Sequence, residues 1–348
     1  MVSVYTLPQG EPGAAAAPVN IIGGHTVRTL VTGGAGFIGS HLVDALLERG
    51  DSVLIFDDLS TGRHENVRHL ANNPQVEFIQ DSILRAAVVD EAMKDVDRVF
   101  HLAAAVGVNL IVQRPLDSLA INVRGSDIVL EKCHKYGRKV LVTSTSEIYG
   151  KNTSDALNEE DDRILGSPLK SRWSYSAAKS IEEVLAYGYW AEKGLPTVIA
   201  RLFNTVGARQ VGQYGMVVPR FVDQALRNAP ITVYGDGTQT RCFCHVTDCV
   251  SALIGLMEHR DAEGRAFNVG NAQEISMLDL AATIRDQLGS TSEITLVPYE
   301  QAYEPGFEDM QRRRPDISRI NELLGWEPTM TLDQVIKDVS ADLRSRSV

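Results

Sequence analysis

The stretch Leu30-Val31-Thr32-Gly33-Gly34-Ala35-Gly36-Phe37-Ile38-Gly39 limits what this chain can fold into more than any other. An apolar, β-branched run, Val27 to Thr32, enters it, and an amphipathic run carrying Leu42, Val43, Leu46 and Leu47 leaves it. That order predicts a strand, a tight glycine turn and a helix. Gly34-x-Gly36-x-x-Gly39 fits the dinucleotide fingerprint, and Gly33 and Gly36 also fit a wider-spaced glycine variant. A Cβ in such a turn would hold the backbone away from a pyrophosphate, while the helix N-terminus offers it unpaired N–H groups. Gly33, Gly36, Phe37, Ile38 and Gly39 are therefore the expected phosphate cradle. Ser52-Val53-Leu54-Ile55-Phe56 reads as a second strand, ended by Asp57 near where dinucleotide folds carry their ribose-binding acid. A carboxylate there binds the ribose 2′-OH and repels a 2′-phosphate, so the cofactor expected is NAD.

Length and charge narrow the partners. A chain of 348 residues can bury one large α/β unit or two lobes. Its net charge of −11 argues against nucleic acid and anionic membrane surfaces, so an anionic substrate has to be met by local arginines. Cys242, Cys244 and Cys249 cluster near His245, and the strand-like run Thr240 to Val246 would put Cys242 and Cys244 on one face. With no second CxxC pair, these read as buried free thiols and no metal is expected. Residues 1–25 read as a disordered tail without a basic, apolar signal pattern. No stretch reaches the roughly 18 apolar residues of a membrane span, and a cytoplasmic location is expected.

Further along, Val76 to Ile79 and Arg98 to Leu102 read as buried strands with a helix between them. Asp81 and Ser82 follow the first, where an adenine ring could be held. Leu102, Ala103 and Ala104 place small residues at a strand's carboxyl end, where such sheets bind ligands, and His101 reads as a core histidine. Leu116 to Tyr136 is a long helical pattern carrying Asn122 and Gly125, and Lys139 to Thr143 is a fifth strand. The alternation from Val27 to Thr143 predicts an α/β fold with a Rossmann-type, doubly wound parallel sheet. Ser146 and Glu147 follow the fifth strand, at the edge where a nicotinamide should lie. In Tyr175-Ser176-Ala177-Ala178-Lys179 the phenol and the ammonium share a helix face. An ammonium beside a phenol favours the phenolate, a base fit to take a proton from a sugar hydroxyl. After a strand from Pro196 to Leu202 and Asn204, regularity breaks into glycine-rich loops carrying Tyr214, Arg220, Tyr234, Arg241 and Arg312-Arg313-Arg314. The expected division is a tail (1–25), a dinucleotide-binding domain with the Tyr/Lys helix (26–203), and a smaller, interwoven substrate-binding lobe (204–348).

With these motifs together, the chain resembles the extended short-chain dehydrogenases/reductases that act on nucleotide sugars. The resemblance runs from about Val27 to the C-terminal helix and rests on TGGAGFIG, HLAA, STSEIYG, YSAAK, RLFNTVG, VYGDGTQTR and RRRPD. Within that family it is most similar to the UDP-glucuronic acid decarboxylases, which share Thr145-Ser146-Glu147, Tyr175/Lys179 and an arginine placed like Arg313 before Pro315. The resemblance implies that Tyr175, assisted by Lys179, is the base at the sugar's O4. It implies that Glu147 and Arg313 flank the C5 carboxylate and that Ser146 helps to order the sugar. Arg241 is implied on the UDP phosphates and Asn204 near the diphosphate; Asn122, Arg220 and Tyr234 are expected as further substrate contacts. It further implies a homodimer through the helices that match Leu116–Tyr136 and Tyr175–Lys193.

Two departures bear on the reaction. Val106-Gly107-Val108-Asn109 replaces a Ser/Pro-rich loop near the sugar, and Ala208 replaces a usual proline. Product fate therefore stays open between a UDP-4-keto-pentose and UDP-xylose. A UDP-sugar 4-epimerase shares Tyr175 and Lys179 but has no need of an acid at C5. In a 4,6-dehydratase an aspartate commonly stands where Ser146 is, and a non-catalytic NAD-binding module of the same fold would have a broken Tyr/Lys pair.

Overall fold

The structure, a computed structural model, describes residues 21–22, 25–105, 115–168, 170, 172–212, 216–302, 310 and 312–346. Seven strands form its central sheet, in the order Arg265–Val269, Thr197–Leu202, Lys139–Thr145, Arg98–His101, Arg28–Thr32, Ser52–Phe56, Val76–Ile79. All neighbouring pairs are parallel. The chain moves outward from Arg28–Thr32 to Val76–Ile79, then crosses back to Arg98–His101 and moves outward the other way. The reversal lies between Arg28–Thr32 and Arg98–His101, and a doubly wound sheet opens its ligand crevice at the carboxyl ends of such strands.

Sequence explains why these runs became strands. Val53, Leu54, Ile55 and Phe56 are all buried, as parallel strands covered on both faces require. One face packs on the Phe37–Glu48 helix through Leu42, Val43, Leu46 and Leu47, together with the Val246–Glu258 helix. The other packs on Val88, Val89, Ile128, Val129 and Leu130. A separate core holds the smaller lobe, with Val218, Phe221 and Val222 against Leu280, Ile284, Val335 and Ile336. Among the described residues, no helix is long and apolar enough to cross a membrane.

Three expectations shift in detail. The predicted Leu116–Tyr136 helix is interrupted: Pro115–Leu119 and Ser126–Tyr136 are α-helical, and Ala120–Gly125 is a π turn. The fifth strand runs two residues further, because Ser144 and Thr145 pair with Arg201 and Leu202. The Thr240–Val246 run divides. Thr240–Cys242 pairs antiparallel with Glu274–Ser276, Cys244–His245 pairs parallel with Thr205–Val206, and Val246 starts a helix. All four cysteines are free and buried. The Val106–Asn109 loop, Tyr214 and most of the N-terminal tail lie outside the described residues.

The two halves interlock at Arg201. Its Nε and Nη2 donate to the two carboxylate oxygens of Glu183 at 3.0 and 2.8 Å, and Nη1 donates to the Tyr149 hydroxyl at 2.9 Å and the Glu159 carbonyl at 2.8 Å. Tyr149 in turn donates to Asn268 at 2.8 Å, on the sheet strand supplied by the C-terminal half. The fork is buried, so removing it strands the Glu183 carboxylate. Arg201→Met should therefore cost about 3–5 kcal/mol of stability, measurable by urea unfolding.

Candidate active site

A cavity of about 520 Å³ runs along the carboxyl edge of the sheet into the smaller lobe. Its floor is the glycine turn. Gly33 has φ +73°, and a Cβ there would lie 2.8 Å from the Ala103 amide nitrogen. On Gly39 it would lie 2.1 Å from the Gly33 carbonyl oxygen. These contacts show why the two positions are glycine, and they leave a cradle that side chains would fill. Asp57, at the end of its strand, accepts from the amides of Ala35 (2.9 Å) and Leu59 (2.8 Å). Burial pushes its carboxyl above the ordinary range, against the pull of those two hydrogen bonds. Each oxygen keeps a lone pair for a further donor such as a hydroxyl.

The opposite wall is built by Lys139–Thr145, the turn after it, and the Arg172–Lys193 helix. Lys179 Nζ donates to the Thr143 carbonyl at 2.8 Å, which fixes the helix face that carries it against the strand end. Thr145 Oγ1 caps the turn by accepting from the Glu147 amide at 3.2 Å, and Ser176 Oγ donates to the Glu147 carbonyl at 2.8 Å. Ser146, Glu147, Tyr175 and Lys179 thus meet on one wall of the cavity. Burial raises the Tyr175 phenol above its ordinary range, and the charges of Glu147 and Glu182 push the same way.

The smaller lobe adds guanidinium groups. Arg313 Nη2 donates to Asn204 Oδ1 at 2.5 Å, and its Nη1 lies 3.4 Å from Glu147 Oε1. Asn204 is itself oriented by its donation to the Cys242 carbonyl at 2.9 Å. Arg220 lies over the Tyr234 ring, 3.9 Å from its centroid, and bonds Thr232 at 3.0 Å. Arg241 is held by the Thr240 carbonyl at 2.7 Å. Glu147, Asn204, Arg220, Tyr234, Arg241 and Arg313 all line the cavity, as do Gly36, Phe37, Ile38, Asp81, Leu102, Ala103 and Ala104.

Two expected site residues are placed elsewhere. Asn122 does not line the cavity: it is fully buried, and its amide group accepts from the Ala105 amide (2.7 Å) and donates to the Ala105 carbonyl (3.2 Å). Both ends of its side chain are spent on the backbone, which makes it a brace. Ser82 is off the wall too, its hydroxyl accepting from the Leu84 amide at 3.3 Å. Conversely, the wall includes Arg209, Gln210, Met216, Phe243 and Tyr299, which were not singled out in the sequence. Among the described residues, Arg209 is one of three non-glycine residues with positive φ, at +67°. Its signal was backbone strain, which a sequence does not display.

A glycine-cradled parallel sheet with Tyr-x-x-x-Lys on its carboxyl edge defines an extended short-chain dehydrogenase/reductase. The family model described as GDP-mannose 4,6 dehydratase matches residues 30–339, and the chain belongs to that family. It is 40% identical to the UDP-N-acetyl-alpha-D-glucosaminuronate decarboxylase of Bacillus cytotoxicus, over 89% of this chain and 96% of that one. It is 39% identical to UDP-glucuronic acid decarboxylase 1 of Arabidopsis thaliana, over 93% and 72%. Among solved structures it resembles the UDP-glucuronic acid 4-epimerase of Bacillus cereus in complex with UDP-glucuronic acid and NAD. That match has a TM-score of 0.83 at 29% identity and covers 92% of this chain and 100% of the other.

The cradle yields a direct test. Gly39→Ala should destabilise the fold by about 1–3 kcal/mol, since the backbone of the turn has to move to admit one methyl group. Thermal melting without any ligand would read this out.

Proposed function

We propose that this protein decarboxylates a UDP-linked hexuronate with NAD as its resident oxidant. One observation supports this most. A carboxylate–guanidinium cluster, Glu147 with Arg313 and Asn204, faces the same cavity as Tyr175 and Lys179. Moving a hydride at C4 needs only the second pair; a substrate carboxylate at C5 gives the first something to handle. Both decarboxylase relatives act on UDP-linked uronates by their names, so UDP-glucuronate and its N-acetylated counterpart are the two substrates to offer.

The residues present fit NAD. The glycine turn would accept its pyrophosphate, Asp57 its adenosine ribose, Asp81 its adenine, and Leu102 to Ala104 with Tyr175 and Lys179 its nicotinamide half. When bound, NAD would supply the acceptor for a hydride from the sugar's C4. Tyr175 receives the O4 proton, with Lys179 supplying charge behind it. A ketone at C4 is β to the carboxylate, so loss of CO₂ leaves an enolate with a ready electron sink. Arg313 holds the carboxylate in a two-pronged contact, Glu147 or a water it positions returns the proton at C5, and Ser146 orders the sugar. Arg220, Tyr234 and Arg241 serve the nucleotide and diphosphate. In this reading 26–203 carries the cofactor and 204–348 mainly the nucleotide sugar.

The same reading includes a cytoplasmic homodimer. Four free thiols suit a reducing compartment. Ile181, Val184, Tyr187 and Trp190 leave an apolar stripe on the Arg172–Lys193 helix, between 38% and 64% exposed, which supports pairing with a second copy.

A 4-epimerase is the second reading, favoured by the likeness to the UDP-glucuronic acid 4-epimerase fold. Turnover in D₂O separates the two. A decarboxylase releases CO₂ and places deuterium at C5 of a pentose; an epimerase returns a hexuronate unlabelled at C5. Tyr175→Phe should lower either turnover by ~10²–10⁴ while NAD still binds. Glu147→Gln should slow CO₂ release sharply with NAD binding intact. A hexuronate epimer, formed without CO₂ or C5 label, would overturn the decarboxylase.

A further inference from the structure

Behind the Tyr175–Lys179 pair lies a carboxylate that the proposed mechanism does not use. Glu182 is 1% exposed, and its Oε2 lies 2.8 Å from Lys179 Nζ, itself only 3% exposed. The pair is one turn apart on the Arg172–Lys193 helix and faces inward. From the neighbouring sheet strand, His101 Nε2 approaches Glu182 Oε1 at 3.7 Å while contacting Ser126 Oγ at 2.9 Å. His101 cannot supply a compensating charge, because burial, aided by the Lys179 ammonium, lowers it to about 3. Glu183, next on the helix, turns away to Arg201. On the far side Glu147 faces Tyr175, with Arg313 beside it at 3.4 Å. Among the described residues, then, the cation within ion-pair reach of Glu182 is Lys179.

We propose that Glu182 is a positioning residue for the Tyr175–Lys179 pair: its buried carboxylate takes up the charge of Lys179 and so keeps Tyr175 a phenol in the ligand-free protein. This rests on the assignment of Tyr175 as base made above. Distance decides which interaction dominates. Glu182 lies seven residues from Tyr175, roughly 10 Å along the helix axis, against one short contact to Lys179. Coulomb energy falls as the inverse of distance, so its main effect is through the ammonium. Removing a buried negative charge makes loss of a proton from the Tyr175–Lys179 couple easier, whichever of the two gives it up. Burial raises the Glu182 carboxyl, with Lys179 pulling the other way, so the pair stands or falls together.

Two measurements test this, one with turnover and one without. In Glu182→Gln, the acidic limb of the kcat/KM profile should move to lower pH by about one unit or more. Glu182→Asp, which keeps the charge, should leave the limb closer to that of the wild type. The second measurement is urea unfolding of ligand-free protein at pH 8. Lys179→Met should be markedly less stable than wild type, and Lys179→Met/Glu182→Gln should recover most of the loss. A limb that stays in place or moves to higher pH in a folded Glu182→Gln, or a double variant no more stable than Lys179→Met, would overturn the proposal. If the protein turns over no nucleotide sugar, the unfolding cycle still decides it, so failure of the functional reading and failure of this one are told apart.

Discussion

A methyl group on Gly39 would lie 2.1 Å from the Gly33 carbonyl oxygen, and one on Gly33 would lie 2.8 Å from the Ala103 amide. The rest of the site depends on that closeness. It lets the first strand's turn lie against the end of Arg98–His101, where the Leu102 amide bonds the Thr32 carbonyl at 3.1 Å. The Gly33 amide bonds the Phe56 carbonyl at 2.8 Å on the other side. Three strand ends are thereby set at one level, and Asp57, Ala103 and the turn face a single crevice. A larger side chain in the turn would separate those ends before any ligand arrived.

The second constraint is that neither half of the chain completes the cavity. Glu147, Tyr175 and Lys179 come from the first half; Asn204, Arg220, Arg241 and Arg313 come from the second. Strand Arg265–Val269 belongs to the second half yet extends the first half's sheet. Asn268, in that strand, accepts from Tyr149 at Oδ1, and its side-chain Nδ2 donates to the Leu157 carbonyl at 2.8 Å. Tyr149 lies two residues after Glu147. The buried Arg201 network is therefore also what holds the Glu147 turn in register with the lobe that carries Arg313.

Local pattern made much of this legible. Ser52–Phe56 is the strand expected, to the residue, because five apolar or small residues between turn signals leave little choice. Tyr175 and Lys179 face one cavity because four-residue spacing on a helix is a local geometric fact. What was not legible depends on partners far along the chain. Asn122 read as a ligand contact, but the backbone at Ala105 claims both ends of its amide. Glu182 stands in no motif that the sequence displays; only the fold shows that it is buried against Lys179. The expectation that Lys179 favours a phenolate was drawn without those partners, a carboxylate and a carbonyl that share the ammonium.

The charge pattern then explains how a protein of net charge −11 can hold a polyanion. Arg209, Arg220, Arg241 and Arg313 are gathered on one cavity, against Asp57, Asp81 and Glu147. Each guanidinium is tied before a ligand arrives: Arg209 to Asp44 at 2.7 Å, Arg220 to Thr232 and the Tyr234 ring, Arg241 to the Thr240 carbonyl, and Arg313 to Asn204. Planar donors fixed in this way lose little side-chain freedom on binding, so their energy goes into orientation. Arg313 carries the point furthest. Its 2.5 Å bond to Asn204 is short, while its 3.4 Å approach to Glu147 is long. In the proposed reaction a substrate carboxylate would take the place of the long contact without disturbing the short one. Such an exchange would leave Arg313 aligned and release Glu147 toward the carbon that must regain a proton.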